Sequence, residues 1–408
     1  MESKNSSIQC EWIVNPDHKW LAGHWCALEE QAEPNLFLSW LWIGTWLDCF
    51  VDNCCVVLAR QEDKIVGLGI IVIKEKKIAG LSYGRQFCLH RTGIPSQDQI
   101  WIEYNDFLMD KTLANTVRPL MTACVMSQMN GTDLFEIGAS LDVDFVSNGP
   151  QSVAAHCGSE RADKQAVLSG LALAEKQAFA EQEVVWESVG FALDFGPLKD
   201  KQQTLDSFLS RNARYQIKRS LNKYNALGEV KITTASSVTQ GLELFNHAAE
   251  YHLSRWGSKS EQSGFANPGF LHFHHELIRR GLPQGRIAIH HLQAGEDDLG
   301  VIYNFHHANW VLFYLSALNY GSGDNHLKPG LVAHYLLIQD AWENGALGYD
   351  FMGGIARYKK TFANRECRLA ISQFRYPHFT YSVKKAIRAL KRRALKRRVL
   401  SESSSDCP

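Results

Sequence analysis

The sequence predicts an α/β protein built from two copies of one unit, each a mixed, mostly antiparallel sheet with helices on its faces. Two stretches about 230 residues apart, 54–84 and 285–321, share a pattern of three strand-like segments separated by polar turns. In both, a glycine (Gly67 or Gly300) begins the strand after the first charged turn. Segments with helical spacing of apolar residues flank both stretches, which favours an internal repeat.

The length of 408 residues also favours two domains, because a single core rarely grows beyond roughly 250 to 300 residues. We predict an N-terminal domain over 1–198, a C-terminal domain over 199–380 and a tail over 381–408. The boundary falls just after the strand-like FALDFG, near Pro197.

Charge is distributed unevenly along the chain. Lys plus Arg and Asp plus Glu each number 43, yet residues 381–408 contain nine basic and two acidic side chains. This tail fits a basic amphipathic helix or a solvated, disordered segment, and it could also contact an anionic membrane surface peripherally. Nucleic acid is the least favoured partner, because no aromatic residue interrupts the basic run.

The ten cysteines are scattered and form neither a C-x-x-C pair nor a zinc-like spacing with histidine. We therefore expect reduced thiols and no metal. The first residues lack the apolar stretch of a signal peptide, and the apolar run Leu36–Val51 is short for a membrane span and contains Asp48. These features predict a cytoplasmic protein, with the tail as its contact to the inner membrane if one exists.

Residues 310–362 contain the most informative pattern: a strand, a loop with glycines, a helix, the short strand YDFMGG and then ARYKKTF. A loop that leads into a helix presents free amide groups to a pyrophosphate, and the helix dipole adds positive potential. The residues expected at that position are Lys328, Pro329, Gly330, Leu331 and Val332. An ordinary strand–helix connection would show the same pattern, so that alternative stays open.

Three further motifs stand out in the C-terminal half. They are R-N-x-R-x-x-x-K-R from Arg211 to Arg219, K-P-G-L from Lys328 to Leu331, and Y-D-F-M-G-G followed by Y-K-K, from Tyr349 to Lys360. Together they resemble the acetyltransferase domains of the GNAT superfamily, in the CelD-like group of bacterial proteins linked to cellulose and exopolysaccharide synthesis, which is related to the FemABX peptidyltransferases. The resemblance implies tandem GNAT-like domains and acetyl-CoA or another acyl-CoA as co-substrate. It places pantetheine in a cleft between splayed strands and the pyrophosphate at Lys328–Val332.

Acylation of an amine needs a group that accepts a proton and a group that stabilises an oxyanion. Asp350 is the preferred base or substrate-binding group, because a carboxylate inside an apolar strand is costly without a purpose, although structural pairing would also explain it. Tyr314 is the candidate acid for the leaving thiolate, although a core tyrosine with a satisfied hydroxyl would also explain it, and Ser316 could reach the cleft from the same strand. Lys359 could contact an anionic acceptor.

The basic residues Arg211 and Arg214 lie on one helical face, which is typical of a solvated surface and could alternatively hold an anionic acceptor. The N-terminal connection around Tyr104–Asp110 contains no glycine, so the first domain is predicted not to bind CoA and to shape the acceptor side. The predicted function is acyl transfer, by direct attack, from acyl-CoA to an amine of a sugar or cell-envelope precursor. The alternatives are a FemABX-like transferase that uses aminoacyl-tRNA and a catalytically silent scaffold.

Overall fold

A computed structural model describes residues 7–141, 145, 181–321 and 323–376. Within these residues, thirteen strands form one continuous sheet. The strands are β1 (Ile8–Val14), β2 (Cys55–Gln61), β3 (Lys64–Ile78), β4 (Leu81–Leu89), β5 (Leu108–Met109), β6 (Leu134–Leu141), β7 (Glu181–Asp194), β8 (Val230–Thr234), β9 (Ile287–Ala294), β10 (Asp297–His307), β11 (Trp310–Leu318), β12 (Gly348–Gly353) and β13 (Arg365–Arg375).

Helices cover both faces of this sheet, as predicted for a mixed α/β fold. None of the described helices combines the length and apolar character needed to cross a bilayer. The helices are α1 (His18–Glu29), α2 (Trp40–Phe50), α3 (Ala114–Ser127), α4 (Gly196–Asp200), α5 (Leu205–Phe208), α6 (Arg211–Leu227), α7 (Val238–Trp256), α8 (Pro268–Gly281), α9 (Pro329–Glu343) and α10 (Arg357–Phe362).

Local sequence explains where the main elements begin and end. The Ser39 hydroxyl accepts from the amide of Trp42 and caps α2, and the Ser210 hydroxyl caps α6 in the same way. Pro329 occupies the first turn of α9, where its missing N–H is not needed. The hairpin between β10 and β11 turns at Ala308 and Asn309, both with positive φ, as a two-residue turn of this twist requires.

The sheet contains the repeated unit that the sequence predicts. In the first half β2, β3 and β4 form an antiparallel meander, and after α3 the chain returns as β6, parallel to β4. In the second half β9, β10 and β11 form the same meander, and after α9 the chain returns as β12, parallel to β11. The order β2-β3-β4-β6 on one side is mirrored by β12-β11-β10-β9 on the other.

Two strands at the centre join the halves by exchange. β7 follows the first unit in sequence but pairs with β12 of the second, and β13 follows the second unit but pairs with β6 of the first. The two strands also pair with each other along eleven residue positions of β13. Sheet pairing therefore continues across the predicted boundary at residue 198, and the separation into two domains stays a prediction. The predicted tail at 381–408 lies outside the described residues.

The core is also shared between the halves. The Trp42 ring of α2 packs edge-on against Phe273 of α8 at 5.0 Å and against Phe305 and Tyr314 of the second-half sheet. Trp42 is almost fully buried, as are Phe273 and Phe305. Burial of large aromatic side chains dominates such contacts, so the two halves stabilise each other.

Candidate active site

A cleft opens between the parallel strands β11 and β12. Their pairing covers only three positions, from Trp310 opposite Gly348 to Leu312 opposite Asp350. Beyond Leu312 the strands diverge, and β11 continues to Leu318 without β12 as a partner. The cavity there has a volume of about 200 Å³ and is lined by Gln99, Trp101, Glu103, His252, Gly264, Phe270, Phe313, Tyr314, Leu315, Phe351, Met352, Gly353 and Lys359.

A β-bulge shapes the β12 side of this cleft. The register with β7 shifts between Asp350 and Met352, and Met352 has a φ of +58°, which is left-handed. A non-glycine residue in this conformation costs about 1 to 3 kcal/mol and needs support from its surroundings. Two carboxylates supply that support, because Asp350 accepts from the Met352 amide at 2.7 Å and Glu103 accepts from the Gly353 amide at 2.7 Å.

The side chain of Lys359, on α10, extends into the cleft between β11 and β12. Its buried Nζ donates to the carbonyl of Phe351 at 2.8 Å and to that of Gly353 at 2.5 Å. Burial lowers the pKa of this ammonium, whereas the carboxylates of Glu103 and Asp350 raise it. The short loop before α10 allows this approach, since Gly354 has a φ of +106° and a Cβ there would lie 3.5 Å from Nζ.

Glu103 comes from the first half of the chain and lines the cleft directly. Its buried carboxylate also accepts from Trp101 Nε1 at 2.9 Å. Burial raises the pKa of Glu103, and the hydrogen bonds from Gly353 and Trp101 and the charge of Lys359 partly oppose that shift. A carboxylate with a raised pKa beside a buried ammonium is the kind of pair that proton transfer near neutral pH requires.

Asp350 lies behind Glu103. The Tyr104 hydroxyl lies 3.0 Å from each oxygen of its carboxylate, and burial raises the pKa of Asp350 to about 6. Asp350 faces a second, larger cavity of about 600 Å³ between the halves, which also touches Tyr104, Arg118 and Cys367. The sequence-predicted Asp350 and Lys359 are thus brought into one charged group, with Glu103 between the carboxylate and the cleft.

Tyr314 lines the cleft, but its hydroxyl is already engaged. It donates to the carbonyl of Ile100 at 2.6 Å and lies 3.0 Å from His274 Nε2. Burial raises the pKa of Tyr314 well above its usual value and lowers that of His274 to about 3, so the imidazole is neutral. A phenol that holds its proton this firmly is a poor acid for a thiolate, which disfavours the predicted role of Tyr314.

The other predicted acceptor contacts lie away from the lining of this cleft. The Arg214 guanidinium donates to the carbonyls of Asp206 at 2.6 Å and Leu209 at 2.8 Å, so it closes the end of α5. Arg211 is exposed at the start of α6, and Ser316 stands on β11 two residues past Tyr314. None of the three is among the residues that line the cleft.

The start of α9 lies where the diverging strands point. The Lys328 amide donates to Ser220 at 2.9 Å and its Nζ to Gln216 at 2.6 Å, which fixes the loop on α6. The amides of Leu331 and Val332 both donate to the Lys328 carbonyl, and Pro329 has no N–H. Within the described residues the Gly330 amide donates to no protein group. A Cβ at Gly330 would lie 3.2 Å from the Tyr320 hydroxyl.

Sequence reasoning missed Glu103 and the aromatic group at the mouth of the cleft. The argument applied to Asp350, a carboxylate within an apolar run, applies equally to Glu103 in IWIEY and would have found it. Tyr358 stacks on the buried His334 with ring centroids 4.8 Å apart, and Arg255 lies over the Tyr320 ring. No pattern in the sequence links these distant positions.

Comparison with known proteins agrees with this geometry. Residues 211–360 match the sequence family described as "Acetyltransferase (GNAT) domain". No curated protein matches the chain at the sequence level. Among solved structures, FemX superposes with a TM-score of 0.50 at 12% identity, covering 88% of this chain and 96% of FemX.

Two further solved structures match the chain at lower TM-scores. L-PGS from Bacillus licheniformis has a TM-score of 0.47 at 11% identity, and the match covers 92% of this chain and 98% of the L-PGS chain. A tandem GNAT protein from the clavulanic acid biosynthesis pathway has a TM-score of 0.39 at 8% identity, and the match covers 91% of this chain and 100% of that protein.

The family match covers the part of the chain that holds the cleft. Residues 211–360, which include both β11 and β12, match a GNAT acetyltransferase domain, and this match supports a transferase. The likeness to FemX, at its low identity, shows a shared fold. The particular donor and acceptor are matters of proposal.

Proposed function

We propose that this transferase moves an acyl group, acetyl in the simplest case, from acyl-CoA to an amine of a sugar or cell-envelope precursor. This is the activity expected of the CelD-like group. The observation that carries the proposal is the divergence of β11 and β12 beyond Leu312, together with the first turn of α9 beside the end of β11, where a Cβ at Gly330 would lie 3.5 Å from the Leu318 side chain. In this arrangement the thioester lies between the strands and the pyrophosphate lies against Gly330, the one residue of 328–332 with an uncommitted amide.

The acceptor is proposed to enter from the opposite side, past His252, Phe270 and Trp101. Glu103 accepts the proton of the attacking ammonium, because it lines the cleft directly and burial raises its pKa. The free amine then attacks the thioester carbon and forms the C–N bond. The C–S bond breaks, the CoA thiolate takes a proton from Lys359, and the second proton of the nitrogen passes to Lys359 as the amide forms. Asp350 stands behind Glu103 and is retained as the second candidate for the base.

Lys359 supplies the positive charge in this scheme. Its ammonium lies at the cleft, where it can stabilise negative charge on the thioester oxygen, and its lowered pKa makes it a better proton donor to the CoA thiolate than an ordinary lysine. The rings of Phe313 and Phe351 give the cleft between the strands an apolar part. Exclusion of water there would strengthen these charge interactions.

Calorimetric titration of the full chain tests the donor. We expect acetyl-CoA to bind, and Gly330→Val to weaken binding at least tenfold, because the added atoms would meet the Tyr320 hydroxyl. Lys328→Glu should weaken it similarly by adding negative charge near the phosphates. The matched controls are Gly23→Ala, which has no atom within 4 Å of its new Cβ, and the exposed Lys201→Glu.

Two outcomes would contradict the proposal. If aminoacyl-tRNA is retained and acetyl-CoA is not, the FemABX-like alternative takes its place. If neither donor binds the folded chain, the hypothesis of a catalytically silent scaffold replaces the proposal. Unchanged acetyl-CoA affinity in both Gly330→Val and Lys328→Glu would show that the donor binds elsewhere.

A further inference from the structure

A cluster of three potential metal ligands lies outside the cleft. His247 of α7, His291 of β9 and Asp298 at the start of β10 converge, and their ligand atoms all lie within 4.8 Å of one another. His247 Nε2 is 2.5 Å from one Asp298 oxygen, and His291 Nε2 is 3.1 Å from the other. The two imidazoles therefore direct the same type of nitrogen towards a single carboxylate.

The donor set matches a transition-metal site better than a calcium or magnesium site. Two imidazole nitrogens and one carboxylate oxygen are ligands that Zn²⁺ binds in a tetrahedron with one open position. With bonds of about 2.0 to 2.1 Å, neighbouring ligand atoms of a tetrahedron stand roughly 3.3 Å apart. Since the ligand atoms lie within 4.8 Å of one another, their separations need to change by at most about 1.5 Å to reach that arrangement, and all three side chains are partly exposed.

The surroundings hold the carboxylate in position. The Gly300 amide donates to Asp298 Oδ1 at 2.8 Å, and this glycine has a φ of +111° at the bulge that opens β10. The Tyr251 hydroxyl, one helical turn after His247, also hydrogen-bonds to Asp298. Such outer contacts orient a metal-binding carboxylate, and the partial exposure of all three ligands leaves a path for the ion.

We propose that His247, His291 and Asp298 form a binding site for a divalent transition metal, with Zn²⁺ as the natural probe. None of the three lines the cleft between β11 and β12. The ion would tie α7 to the turn between β9 and β10, where the Asn319 side chain from the end of β11 donates to the Asp298 carbonyl at 3.1 Å. With water as its fourth ligand, the ion would stabilise the part of the fold from which the loop to α9 begins.

The test uses the full, tag-free chain, stripped with chelator and equilibrated with Zn²⁺ or Co²⁺. We expect one ion per chain, a rise in thermal midpoint of about 2 to 5 °C at saturating Zn²⁺, and the visible absorption of tetrahedral Co²⁺. His247→Gln and His291→Gln should each lower affinity at least tenfold. The control His24→Gln, in which the changed ring contacts only its own helix through the Trp20 carbonyl, should keep the wild-type affinity.

A second readout needs no substitution. Bound metal should protect His247 and His291 of the wild-type chain from diethylpyrocarbonate, measured by peptide mass spectrometry, and leave His24 reactive. Stoichiometric binding that survives both glutamine substitutions would place the metal elsewhere and overturn the proposal. So would the absence of saturable binding, in which case the cluster is a His–Asp–His ion network.

Discussion

Replacing Asp350 by asparagine should stabilise the folded protein at neutral pH. Burial raises the pKa of Asp350 from 3.8 to about 6, so the folded state binds this proton more tightly than the unfolded state does. Ionisation of this group therefore begins to oppose folding as the pH rises above 3.8, and the opposition reaches its full size above about pH 6. Asparagine has almost the same shape, can still accept from the Met352 amide, and can donate to the Tyr104 oxygen.

The size of the effect follows from the two pKa values. Ionisation of Asp350 opposes folding by about 3 kcal/mol at pH 7.5 and by about 1 kcal/mol at pH 4.5. These are upper limits for the gain on Asp350→Asn, because the new amide is buried as well. The measurement is denaturant unfolding of both proteins at the two pH values, with Asp297→Asn, at the exposed first position of β10, as the control.

A lower stability of Asp350→Asn at pH 7.5, or a gain that is equal at both pH values, would refute this reasoning. The catalytic activity of Asp350→Asn distinguishes Glu103 from Asp350 as the base. If Glu103 accepts the proton, Asp350→Asn keeps catalysis within about tenfold of wild type; if Asp350 does, it loses at least a hundredfold.

Three further substitutions test the account of the cleft and of the fold. Glu103→Gln should reduce kcat/KM at least a hundredfold and remove the acid limb of its pH profile, whereas the exposed Glu296→Gln should change neither; a retained acid limb would exclude Glu103 as the base. Lys359→Met should abolish acyl transfer and cost about 1 to 3 kcal/mol of stability, because two buried carbonyls lose their donor; the exposed neighbour Lys360→Met is the control, and wild-type turnover in Lys359→Met would contradict the scheme. Gly300→Ala should destabilise the fold by several kcal/mol in denaturant unfolding, since its Cβ would lie 2.2 Å from the Ala317 carbonyl, and a loss below about 0.5 kcal/mol would show that the bulge is not required.

The sequence predicted the repeated unit because the pattern that defines it is local. Gly67 and Gly300 each follow a charged turn, and each is needed where another chain segment approaches closely. The parallel return strands and the helices before them follow from periodicity within about fifty residues. The splayed cleft came from the resemblance of residues 328–360 to the GNAT motifs.

The exchange of β7 and β13 could not be predicted in this way. Their partners, β12 and β6, lie far away in sequence, and pairing over such distances leaves no periodic trace. The exchange also makes the second half depend on a strand from the first. Removing the first 197 residues would take away β7 and leave β12 and β13 without their shared neighbour, so an isolated C-terminal half is not expected to keep the cleft.

For the same reason, the sequence could not predict which residues come together in the site. Glu103 reaches Gly353 across 250 positions of the chain, and Tyr104 reaches Asp350 across 246. The acceptor contact of Arg214 stays a prediction, and its guanidinium donates to carbonyls only five and eight residues away. A helical face of basic residues does not show which of them already have local partners.

Hydrogen–deuterium exchange with and without CoA tests the central claim most directly, because it reports on both halves of the same chain. We predict slower exchange in residues 319–332 and 351–354 on CoA binding, with residues 90–113, the corresponding connection of the first half, unchanged. Protection of 90–113, with no change at the start of α9, would contradict the assignment of the donor to the cleft between β11 and β12.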